Sequence, residues 1–347
     1  MNDPRAGGSL TGPRAGGSLT GLVRRVLLVT LLGVVLYGLF VVYTGLQEMG
    51  STLARFHVSA LFAALGLACF NYGLRFAKWQ YYLKRLGIAG IPLWDSLLVF
   101  LTGFVLTITP GKVGEVFKSA VLFKTHGVPV ARTAPIVIAD RLTDVIGIVT
   151  LIVIGGATFP GGLPWALAGA VAVAAGLVLI SWQAPALWLC AHLEQRRGKL
   201  GAIVPKLREA LISLRIVASP GALLVPSLLS VVGWGAEGLA LYTLLCGFEQ
   251  HVPLLLAVLF YATATLAGAL VPIPGGLGLV EGMLRQALLH LGGVEQGAAT
   301  ASMILVRLAT LWWAVLVGFI ALFLLRLRFP AALSGDVAAN AQGARIG

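Results

Sequence analysis

Three ionisable residues, Asp140, Arg141 and Asp144, stand inside the apolar stretch 134–159. A charge in hydrocarbon is costly unless paired or wet, so such residues either lock helices together or line a path for something polar. Asp140 and Asp144 share a helical face at i,i+4, and Arg141 is i,i+3 to Asp144. At 1.5 Å per residue from Arg132, Asp140 lies about 12 Å and Asp144 about 18 Å deep, near the middle of a roughly 30 Å core. Arg307 has a similar depth in 300–325, and Glu237 interrupts 222–246. Two further sets follow breaks in apolar sequence. Pro110-Gly111-Lys112-Val113-Gly114 leads to Glu115 and Lys118, and Pro274-Gly275-Gly276-Leu277-Gly278 leads to Glu281 and Arg285. Pro and Gly break a helix, and the freed N–H groups at a new helix start can bind an anion. Arg75 and Lys78, beside Trp79, Tyr81 and Tyr82, read either as snorkelling residues in an aromatic belt or as headgroup ligands. Basic groups at both breaks suit a phosphate; apolar walls suit an acyl or isoprenoid tail.

The elements that hold these groups follow from composition. The 347 residues are 58% hydrophobic and 11% charged, with mean hydropathy +0.94. A soluble domain carries roughly a quarter charged residues, so a water-soluble globule is excluded. The formal charge of +12 does not imply nucleic-acid binding, because the basic residues sit in short segments between apolar runs. Cys69, Cys190 and Cys246 are far apart, with no metal-ligand or disulfide spacing, and the five histidines are scattered. No cofactor or metal is expected.

Counting lysines and arginines sets the topology. The N-terminal tail, the stretch after the second helix, the segment 183–220 and the C-terminal end are basic, and each is expected in the cytoplasm. Of the intervening segments only one holds a basic residue, Arg55. Six full transmembrane helices are predicted at 22–43, 59–80, 134–159, 163–182, 222–246 and 300–325. The stretches 92–132 and 253–291 must each begin and end on one side, so both are predicted as re-entrant hairpins broken at their Pro-Gly sequences. The chain is thus read as an all-α polytopic membrane protein of about eight hydrophobic segments, in the cytoplasmic membrane with both termini inside. Residues 22–159 and 163–328 form an inverted repeat, each break being followed 31 or 33 residues on by an Arg-Leu pair. Such repeats, with discontinuous helices meeting near the midplane, are the architecture of secondary transporters. Residues 199–217 are amphipathic and lie either on the inner leaflet or against the bundle. Residues 1–21, holding the nonapeptide PRAGGSLTG twice, and 329–347 are expected to be disordered cytoplasmic tails.

Four motifs in order carry a resemblance: Asn71-Tyr72-x-Leu74-Arg75-x-x-Lys78-Trp79; Pro110-Gly111-Lys112-x-Gly114-Glu115-x-x-Lys118; Asp140-Arg141-x-Thr143-Asp144; and Pro272-x-Pro274-Gly275-Gly276-Leu277-Gly278-x-x-Glu281. Together, over about residues 22–328, they resemble the flippase-like transmembrane family named for the membrane half of lysylphosphatidylglycerol synthase. The resemblance implies lipid translocation, with the motif residues lining a headgroup cavity. In the bifunctional synthases a soluble aminoacyl-transferase domain follows; here the sequence ends at Gly347, so aminoacyl transfer is not expected. The family's usual basic residue after the first Pro-Gly, often Arg, is Lys112, which lacks the guanidinium fork.

The leading expectation is a protein that moves an anionic lipid (phospholipid, hopanoid or polyisoprenoid-linked) between leaflets. No G-x-x-x-x-G-K-[ST] loop is present, so ATP hydrolysis is not the drive. The runner-up is an accessory scaffold of lipid or lipid-linked glycan synthesis, with lipid-biosynthesis enzymes as partners. Third is a membrane-embedded glycosyl or phosphoryl transferase using Asp140 and Asp144 as a metal site or base. The lipid, the direction, the coupling ion and the oligomeric state stay open.

Overall fold

A computed structural model describes residues 52–108, 115–158, 199–271 and 273–333, together with a few isolated helical positions. The predicted first helix (22–43), most of 163–182 and the first Pro-Gly break, with Pro110, Gly111, Lys112 and Gly114, lie outside the described residues. All regular structure among them is helical: α1 Val58–Arg85, α2 Leu93–Thr102 with a 3-10 extension Gly103–Leu106, α3 Phe117–His126, α4 Val130–Thr133, α5 Pro135–Ala157, α6 Lys199–Val217, α7 Pro220–Gly247, α8 Leu254–Leu270, α9 Leu279–His290, α10 Gln296–Arg307, α11 Trp313–Arg328 and α12 Pro330–Leu333.

Among the described residues, three helices are long and apolar enough to cross a membrane: α1, α7 and the continuous 33-residue run Gln296–Arg328. The second helix runs five residues past its predicted end at position 80 because Tyr82 and Leu83 turn inward and stay buried. The run Gln296–Arg328 joins α10 to α11 through a π turn, Leu308–Trp312, that begins directly after Arg307. Insertions of that kind recur at functional positions in helices. Helix α5 is also long, but it carries Asp140, Arg141 and Asp144.

The second break has a local cause. Gly275, Gly276 and Gly278 all have positive φ, at 62°, 67° and 86°, a region that costs glycine little and other residues much. The chain therefore leaves α8, turns through this sequence and starts α9, whose Glu281 carboxylate accepts the Gly278 N–H at 2.7 Å. The arms α8 and α9 pack on each other, as α2 and α3 do.

Two apolar cores result. One centres on α7 to α10, with Leu241, Leu244, Phe260, Leu284 and Met303; the other joins α1, α2, α3 and α11 through Trp79, Tyr82, Phe100, Val121 and Leu325. Helices α1, α5 and the α10–α11 run contribute to both. The outer faces are apolar too: Phe62, Leu224, Leu228 and Phe323 are all exposed, as lipid-facing positions require.

Glycines set the closest approaches. A Cβ at Gly147 of α5 would sit 2.8 Å from the backbone carbon of Ser230 on α7. Small residues at such crossings let membrane helices come together. Gly147→Leu is therefore expected to separate α5 from α7 and cost about 1–3 kcal/mol or more, read as a lower melting temperature in mild detergent; an unchanged melt would show that the crossing is slack.

One end of the bundle is strongly basic. Arg328 meets the buried Asp95 of α2 at 2.5 Å, and His126 lies 3.7 Å from the same carboxylate. Arg132 donates to the carbonyl of Leu86, and α6 packs beside it against α4 and α5. The bounds of α6 match the predicted amphipathic segment, and the expected C-terminal tail begins with the single helical turn α12.

Candidate functional site

Where the shared helices pass between the cores, the buried charges collect. The centre is Lys78 of α1, 1% exposed. Its ammonium lies 2.6 Å from Asp140 and 2.9 Å from Asp144 on α5 and donates to Ser230 of α7 at 2.7 Å. The i,i+4 carboxylates thus do share a face, and one cation lies between them. That position is the one a metal would need, so the pair works here as an anchor for an ammonium.

A second layer of cations faces a cavity. The Arg75 guanidinium lies 3.3 Å from Asp140 and 3.6 Å from Asp144, with Glu115 at 3.8 Å. Arg141 pairs with Glu115 at 3.0 Å, Asp144 at 3.1 Å and Asp140 at 3.2 Å. Three carboxylates are therefore shared among three cations, so no single exchange of partners leaves a bare charge.

On the far wall Arg307 donates to Glu281 and to the carbonyl of Gly275, both at 2.6 Å. The guanidinium thereby ties the α10–α11 run to the turn of the second break. Between the walls Glu237 of α7 accepts from Asn71 at 2.6 Å and from the Tyr261 hydroxyl at 2.5 Å. Tyr72 donates to the carbonyl of Thr310, inside the π turn, at 2.8 Å.

The cavity between these walls measures about 280 Å³. Arg75, Arg141, Arg307, Glu115 and Glu237 line it together with apolar residues such as Phe104, Ile148 and Leu311. Ala269 and Val271, at the end of α8, line it as well and are exposed, so the cavity reaches the apolar surface there. A site lined by guanidinium groups and by hydrocarbon can hold an anionic group attached to an apolar tail.

The structure brings together Asn71, Arg75, Lys78, Glu115, Asp140, Arg141, Asp144, Glu237, Glu281 and Arg307, along with Gly275 and Gly276 on the wall. Two charged residues of the predicted set are placed differently. Lys118 is buried with its ammonium 5.0 Å from the Trp79 ring and 5.4 Å from the Phe100 ring, a cation–π arrangement off the cavity wall. Arg285 donates to Thr300 at 2.9 Å and does not line the cavity. Helical spacing gave each a shared face with its glutamate, but the neighbouring helix supplied another partner. Pro274 and Gly278 shape the turn rather than the wall. Ser230, Tyr261 and Thr310 also belong to the site, and no sequence motif singles them out. The available signal was a hydroxyl in a hydrophobic run, which in hydrocarbon requires an acceptor.

Comparison with known proteins agrees. Residues 28–318 match the family described as the lysylphosphatidylglycerol synthase transmembrane region. A UPF0104 membrane protein of Pyrococcus horikoshii is 24% identical over 320 residues, covering 84% of this chain and 94% of the relative. Another, from Methanocaldococcus jannaschii, is 25% identical over 226 residues, covering 64% of this chain and 94% of the relative. With membrane-crossing helices, a charged cavity between them and a match over most of its length, this multi-pass membrane protein belongs to the lysylphosphatidylglycerol synthase transmembrane-region family.

Proposed function

We propose that this protein moves an anionic lipid between the two leaflets without ATP hydrolysis, driven by an ion gradient or by the lipid's own gradient. One observation carries the reading: Arg75, Arg141 and Arg307 line one cavity that has apolar walls and an outlet at the end of α8. The phosphate of a phospholipid, hopanoid derivative or polyisoprenoid carrier would lie against the guanidinium groups while its tail leaves past Ala269 and Val271. A carboxylate-paired arginine suits that role, because phosphate replaces carboxylate with the same bidentate geometry.

In this reading the α2–α3 and α8–α9 units are re-entrant hairpins from opposite sides, completing six crossings with the segments 22–43 and 163–182. The basic end, with Lys84, Arg85, Arg132, Arg326 and Arg328, faces the cytoplasm.

The test is transport by purified protein in vesicles. A fluorescent phosphatidylglycerol on the inner leaflet should reach an impermeant quencher outside at a rate set by protein content. Arg75→Gln should slow this at least about tenfold, the effect of losing roughly 1.4 kcal/mol from one charge-assisted contact. Equal rates in protein-containing and protein-free vesicles would reject translocation of that lipid. They would move a non-transporting role in a lipid-synthesis complex to the front.

A further inference from the structure

Each repeat contains a glutamate–arginine pair of the same sequence separation. Arg307 meets Glu281, 26 residues before it, at 2.6 Å. Arg141 meets Glu115, also 26 residues before it, at 3.0 Å. In both, the glutamate stands where the chain resumes a helix after a Pro-Gly break, and the arginine stands on the long helix that follows. Both arginines line the cavity. The second break also lies close to the described end of the α2 arm, for a Cβ at Gly275 would sit 3.7 Å from the Cα of Ile108.

Each glutamate has a second partner already in place. Glu281 accepts the Gly278 N–H at 2.7 Å, and Glu115 lies 3.8 Å from Arg75. If an anion takes the arginine, the displaced carboxylate is therefore not stranded in the interior. That lowers the cost of breaking a buried ion pair, and the incoming phosphate offsets the rest by pairing with the arginine.

We infer that Glu115–Arg141 and Glu281–Arg307 are the two gates of the cavity, one per repeat, each opening toward one leaflet when a lipid phosphate takes the arginine from its glutamate. The inference rests on the translocation reading and on the opposite insertion of the repeats. It goes further in assigning one glutamate to each side, and in making phosphate-for-carboxylate exchange the event that opens a gate.

Side-specific labelling tests it. Cys69, Cys190 and Cys246 are replaced by serine, and a single reporter is placed in the cavity wall as Thr265→Cys or, separately, Thr107→Cys. Protein in phosphatidylglycerol vesicles of known orientation is exposed to an impermeant maleimide from one face or the other. Glu115→Gln should raise labelling from one face and Glu281→Gln from the opposite face. Raising an open state of a few per cent to parity gives about a tenfold increase. Charge swaps, Glu115→Arg with Arg141→Glu and Glu281→Arg with Arg307→Glu, should restore the closed face. They also carry the comparison, as do Glu115→Asp and Glu281→Asp, if a glutamine variant is lost to misfolding. Labelling of both variants from the same face, or of neither while they elute as intact protein, overturns the assignment. In vesicles of uncharged glycolipid, added phosphatidylglycerol should raise wild-type labelling; inorganic phosphate doing so equally would overturn the lipid as opener. The two readings separate cleanly. Reciprocal labelling without lipid movement retires translocation and keeps the gates, whereas lipid movement with same-face labelling does the reverse.

Discussion

Lys78→Met is expected to destabilise the protein by about 3–5 kcal/mol, the cost of removing one partner from a buried ion pair. The ammonium is fully enclosed and holds both Asp140 and Asp144 within 2.9 Å or less. It also receives support from Ser230. Methionine keeps the volume and the unbranched shape, so the change isolates the charge. The two carboxylates would then pair directly only with Arg75 and Arg141, for whose guanidinium groups Glu115 competes. Melting in mild detergent should fall by about 6–10 °C, at roughly 2 °C per kcal/mol for a chain of this size. Adding Asp144→Asn to Lys78→Met should recover part of the loss, because the cluster is then short of one carboxylate as well as one cation. A melt within about 2 °C of wild type would mean that the ammonium's desolvation cancels its pairing, so the anchor is replaceable.

Arg307→Met should act as strongly and in a different place. It leaves Glu281, which is 0% exposed, without its cation and the Gly275 carbonyl without its donor. The loss is expected at about 3–5 kcal/mol, concentrated in the turn between α8 and α9. Hydrogen exchange should rise across residues 273–282 before it rises in α7. Arg307→Lys should be intermediate. One ammonium restores the charge but cannot serve Glu281 and Gly275 from two fixed nitrogens as the guanidinium does. Pairing Arg307→Met with Glu281→Gln should recover most of the stability, since glutamine at that position still accepts the Gly278 N–H. Uniform loosening across the bundle would show that Arg307 supports the whole packing rather than this turn.

The class of the protein and the kinds of group in its interior were legible in the chain itself. Among the described residues, hydropathy gave the long helices α1, α5, α7 and the α10–α11 run to within about five residues at either end, because a helix in hydrocarbon must be apolar along its length. The three positive-φ glycines after Pro274 announced the second break, since backbone of that kind needs residues without a Cβ. The carboxylate face of α5 followed from i,i+4 spacing alone. Partner choice was decided elsewhere. Lys78 meets Asp144 across 66 positions, and Asn71 meets Glu237 across 166. Lys118 and Arg285, which spacing grouped with Glu115 and Glu281, went instead to Trp79 and to Thr300. Helical period fixes which residues share a face, but not which helix lies opposite. That was set when α1, α5 and the α10–α11 run packed across both cores, at crossings such as Gly147 on Ser230, and turned their charges toward one another, a few neutral polar groups and the cavity.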